Sequence, residues 1–60
     1  MPNTIDRADM AVIITTLQYR IDHLYRVSEA HRRHYDYRAQ WDTLQERRKV
    51  QDVLDKVLAQ

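Results

Sequence analysis

From Asn3 to Gln60 the chain contains neither glycine nor proline, and its one proline is Pro2. Tight β-turns draw on residues that tolerate positive φ or pre-set the bend, and a sheet of short strands needs many such turns. Helix is therefore the default conformation. In the first half, Met10, Ile13, Ile14, Leu17, Ile21 and Leu24 recur at spacings of three and four residues, which aligns them on one helical face that continues through Val27 and Ser28. Asn3 or Thr4 is a candidate cap for this helix, and Asp6 and Asp9 bring negative charge to the positive end of its dipole. A second stripe runs through Leu44, Val50, Val53, Leu54, Val57 and Leu58, with Lys56 near the negative end. Its valines are middling helix formers, but their spacing lacks the strict alternation of a strand.

At about 100° per residue the first stripe centres on the direction of Leu17 and Ser28, while the second is rotated by roughly 70° toward Leu54. A straight helix would carry a seam that drifts past its middle. Two all-α arrangements absorb the drift. In the preferred one the chain turns back and forms an antiparallel helical hairpin, with helix 1 at about 5–32, a turn at about 33–37 and helix 2 at about 38–59. The alternative is one helix of about 50 residues, roughly 75 Å long, in a coiled-coil-like oligomer. Asp36 and Asp42 are possible caps for a second helix, and Thr43-Leu-Gln-Glu46 has the capping-box pattern.

Sixty residues form a single small domain, and the apolar stripes are too short to offset the ordering of the whole chain by themselves. A partner completes such a core. Symmetry makes a homodimer the first expectation, two hairpins meeting as a four-helix bundle with Ile13, Leu17, Ile21, Leu24, Val50, Leu54 and Val57 at its core and oligomer contacts. Cysteine is absent, so disulfides, thiolate metal sites and redox thiols are excluded. The longest mainly apolar run, Met10 to Thr15, is too short for a membrane span. The reading is a soluble, cytoplasmic chain without a membrane partner.

The segment from Glu29 to Trp41 departs from both stripes, since it gathers Arg32, Arg33, Arg38, His31, His34, Tyr35, Tyr37 and Trp41. Tyr, Trp and Arg are the residue types that concentrate binding energy at protein interfaces. Tyr35, Tyr37, Trp41, Arg33 and His31 are accordingly the candidate surface for another protein. On an uninterrupted helix Tyr35 would fall in line with Leu17, Leu24 and Ser28. Trp41 reads as a core or interface anchor closing the base of the second helix.

Arg26, Arg32, Arg33 and Arg38, interleaved with Tyr25, Tyr35 and Tyr37, also offer guanidinium groups for phosphates and rings for bases. Glu29 and Asp36 interrupt the cluster, and a formal charge of +1 does not announce a nucleic-acid binder. Arg47-Arg48-Lys49 reads as a solvated helical face, partly paired with Glu46 and Asp52. His31 and His34, or His23 and His34, share a helical direction, but neither H-E-x-x-H nor Glu-x-x-His occurs. No metal or other cofactor is expected, and no nucleophile-base constellation supports an enzyme. The leading expectation is a small helical protein-interaction module: an adaptor, a chaperone-like protein or a regulatory subunit. A dimeric nucleic-acid-binding regulator is the alternative, and a metal-assembled helical oligomer comes third.

Overall fold

The computed structural model describes residues 4–60 and is an all-helical hairpin, α1 over Arg7–Arg33 packed against α2 over Tyr37–Leu58. The continuous helix is not adopted. Asp6 caps α1 with extended backbone, its Oδ1 accepting the Asp9 N–H at 2.8 Å. Thr4 lies outside the helix and is not the cap, and Asn3 lies outside the described residues.

The reversal takes only His34, Tyr35 and Asp36. The Asp36 N–H donates to the His31 carbonyl at 2.9 Å and the Tyr35 N–H to the Arg32 carbonyl at 3.0 Å, the paired bonds of a Schellman motif. That motif requires a left-handed residue, and Tyr35 supplies it at φ 58°. Asp36 then caps the next helix, its Oδ1 accepting the Ala39 N–H at 3.1 Å. One residue thus closes α1 and opens α2. The capping-box reading of Thr43 to Glu46 is corrected: α2 has already begun, and the Thr43 hydroxyl donates back to the Ala39 carbonyl at 2.8 Å.

A tyrosine held at positive φ carries a conformational cost that glycine avoids. Tyr35→Gly is therefore expected to raise stability by up to about 1 kcal/mol, read as a higher melting temperature. Tyr35→Val, with β-branching at the same backbone angle, should lower it.

Leu24 and Leu54 are the buried hydrophobic residues among those described, each 5% exposed, and Ser28 is buried more deeply still. The Ser28 hydroxyl donates to the Tyr25 carbonyl at 2.7 Å, so its burial leaves no unpaired donor. Ile13, Leu17, Ile21, Val50 and Val57 are half-buried. The seam of α2 follows Gln40, Thr43, Arg47, Val50, Leu54 and Val57, alternating three- and four-residue steps that keep one face toward α1.

One sequence expectation narrows on this seam and another fails. Trp41 does not close a core within the hairpin, since it stands one residue past Gln40 and about 100° away from the seam; it is 61% exposed. Arg47 does not belong to a solvated face. It occupies a seam position and is half-buried, and Glu46 pairs across the hairpin with Arg20 rather than with its own basic cluster.

The outline is elongated, 50 × 18 × 15 Å, with a radius of gyration of 14.6 Å. A compact chain of this length would have about 10 Å. Two layers of single helices have no second side on which to bury their flanks, and the half-open stripes follow from that geometry.

Candidate interaction surfaces

Two surfaces stand out, one at the turn and one between the helices. At the turn, Arg32, Arg33, Tyr35 and Tyr37 line a shallow recess of about 310 Å³. The last turn of α1 supplies the arginines, and the Schellman reversal brings the tyrosines beside them. Tyr35 and Tyr37 meet edge to face, with ring centroids 6.4 Å apart and planes at 72°. Both rings are largely exposed, so the pair is a surface feature.

The arginines are partly committed. Arg32 donates through Nε and Nη2 to Glu29 Oε2, the shorter bond at 2.8 Å. Arg33 lies near the Glu29 carbonyl, with its Nε 3.5 Å away, and Arg26 pairs with Asp22 at 3.1 Å. Of the four arginines considered for phosphate binding, Arg32 and Arg33 come together. Arg26 stands almost two turns earlier on α1, and Arg38 opens the first turn of α2 outside the recess.

His31 is half-buried, and its carbonyl accepts the N–H groups of both His34 and Asp36. Its main chain thus takes part in ending α1. Trp41 lies one turn beyond Tyr37 on the same side of α2, outside the recess but continuing the aromatic surface. Tyr35, Tyr37 and Arg33 are brought together, while His31 and Trp41 flank them.

Between the helices a larger groove of about 580 Å³ is walled by Gln18, Ile21, Asp22 and Tyr25 of α1 and by Arg47, Gln51, Leu54 and Leu58 of α2. The Arg47 guanidinium lies over the Tyr25 ring, its central carbon 5.5 Å from the centroid. The Arg47 Nε is covered and has no hydrogen-bond partner. Sequence reading by charge assigns Arg47 to solvent, although the steps from Thr43 to Arg47 to Val50 carry the signal that places it in the seam.

Compared with family models, curated proteins and solved structures, the chain matches none. Among the described residues no group of three or more His, Cys, Asp or Glu side chains is arranged to hold a metal ion. No helix there is long and apolar enough to cross a membrane.

Proposed function

We propose that this chain is a small protein–protein interaction module without catalytic activity, acting in the cytoplasm as an adaptor, chaperone-like protein or regulatory subunit. It works as a homodimer, two hairpins forming a four-helix bundle, and presents the His31–Trp41 region to another protein. The observation that carries this reading is the incomplete burial of the stripes. Leu24 and Leu54 are covered, yet Ile13, Leu17, Ile21, Val50 and Val57 stay half-open and Leu58 is exposed. Apolar side chains left open along two helices are the usual material of a bundle interface.

The turn supports the second contact. Tyr35 occupies a left-handed position that glycine fills at lower cost, and its ring is 79% exposed. A strained residue whose side chain packs little in the fold points to a use outside it. Nucleic-acid binding, the second reading, draws on the same recess of Arg32, Arg33, Tyr35 and Tyr37, although Glu29 already neutralises Arg32.

Affinity isolation with the full chain, followed by titration of the recovered partner, tests the module. Tyr37→Ala and Arg33→Ala are each expected to weaken binding by about tenfold or more while leaving the melting temperature within a few degrees of wild type. Trp41→Ala is expected to weaken binding as well, because Trp41 continues the aromatic surface one turn beyond Tyr37. Unchanged affinity after both Tyr37→Ala and Arg33→Ala would remove the turn as the binding surface. Affinity that collapses between low and moderate salt would transfer the assignment to nucleic acid, because release of condensed counterions makes phosphate recognition steeply salt-dependent.

A further inference from the structure

The two faces of the hairpin are unlike. On one, Arg20 Nη2 donates to Glu46 Oε1 at 2.6 Å, an ion pair that straps α1 to α2 with both side chains about half exposed. On the other lies the groove, with Ile21, Asp22 and Tyr25 facing Arg47, Leu54 and Leu58. The aromatic ring of Tyr25 partly balances the Arg47 charge, but it does not satisfy the covered Nε–H.

We infer that this groove receives a second copy of the chain, and that Asp22 of the second copy provides a carboxylate for the part of the Arg47 guanidinium that lines the groove. This rests on the self-association proposed above and assigns it to one face. Exposed area favours a second copy. A compact monomer of 7.3 kDa exposes about 4200 Å² by the usual scaling, whereas this hairpin exposes 5279 Å². The excess, on the order of 1000 Å² and spread over the whole elongated chain, leaves room for the roughly 800 Å² that each partner buries in a standard interface.

Charge favours it as well. A self-complementary face must contain both members of any ion pair that it forms across a two-fold axis, and this groove holds both Asp22 and Arg47. Their heights also agree. Arg20 reaches Glu46 and Tyr25 reaches Arg47, so Asp22, between Arg20 and Tyr25 on α1, stands level with that part of α2. A two-fold axis running along the groove lays α1 of each copy over α2 of the other at unchanged height. Asp22 then meets Arg47 twice in the dimer.

The present partner of Asp22 is Arg26, one turn away at 3.1 Å with both side chains largely exposed. Such a pair is weak and readily exchanged. Covering the opposite face would instead desolvate the Arg20–Glu46 pair, which is unfavourable unless new partners replace the lost water.

The test uses two glutamates on opposite faces of the same end of α2. Leu58 lines the groove and Val53 does not, and they are 57% and 48% exposed, so neither substitution attacks a buried core position. Sedimentation equilibrium of the full chain at micromolar concentration is expected to show a wild-type dimer. Leu58→Glu should raise the dissociation constant by about a hundredfold, and Val53→Glu by no more than about threefold. The reverse ranking overturns the choice of face while leaving self-association standing. A folded wild-type monomer throughout the range overturns both.

A double-mutant cycle with Asp22→Asn and Arg47→Gln, read in the same dissociation constant, tests the ion pair. The two substitutions should be coupled by about fivefold or more, whereas strictly multiplicative effects would overturn the pairing.

Discussion

Leu54→Asp is expected to abolish the cooperative thermal transition and most of the helical circular-dichroism signal. Leu54 is 5% exposed and sits in the α2 seam. Truncating such a leucine costs about 2 to 5 kcal/mol through lost packing and the space left behind. Aspartate adds the desolvation of a carboxylate at a position that is only 5% exposed. A two-helix chain has no reserve to absorb the sum. The informative comparison is Leu58→Glu, four residues on, which should keep its helix because the side chain is already 57% exposed. Equal, near-wild-type melting of Leu54→Asp and Leu58→Glu would show that the helices do not meet along this seam.

Both leucines lie on a stripe that the sequence itself displays. The apolar spacing placed Leu24 and Leu54 on the faces that meet, and the missing glycines left little but helix. The rotation between the stripes is compatible with a bend or with one long helix, and Asp36 favours the bend as a possible cap because an aspartate side chain can take an orphan N–H at a helix start. The left-handed conformation of Tyr35 was not visible, since tyrosine has no preference for it; it results from the Schellman bonds closing at that residue. Thr43 mimicked a helix start because its motif is local, whereas the earlier cap at Asp36 was already formed.

Arg47 shows the opposite failure. Two neighbouring charges suggested a solvated run, but spacing outweighed charge, because a long aliphatic stem can lie in a seam. Of the candidate surfaces, the turn was legible from composition, which named Arg33, Tyr35 and Tyr37. The groove was not, because Tyr25 and Arg47 lie 22 residues apart in the chain and only the hairpin register brings them together.

That register depends on how closely the helices approach near the turn, and Ser28 tests it. Ser28 is 1% exposed, the most deeply buried polar residue among those described, and its hydroxyl is satisfied within α1 by the Tyr25 carbonyl. Size, then, is what the position constrains. Ser28→Ala should change stability by less than about 0.5 kcal/mol, because donor and acceptor belong to one helix and the carbonyl keeps its helical bond. Ser28→Leu forces a branched side chain into a filled site, at a cost of about 1 to 3 kcal/mol. For a chain of this length that lowers the melting temperature by roughly 5 to 20 °C. The same wedge pushes the end of α1, with Arg32 and Arg33, away from Tyr37 at the start of α2, so partner affinity at the turn should fall together with stability. Thermal melts of the two variants and a titration with the recovered partner measure both effects. A Ser28→Leu protein as stable as wild type, beside a destabilised Ser28→Ala, would mean that the hydroxyl rather than close helix approach is what the site requires.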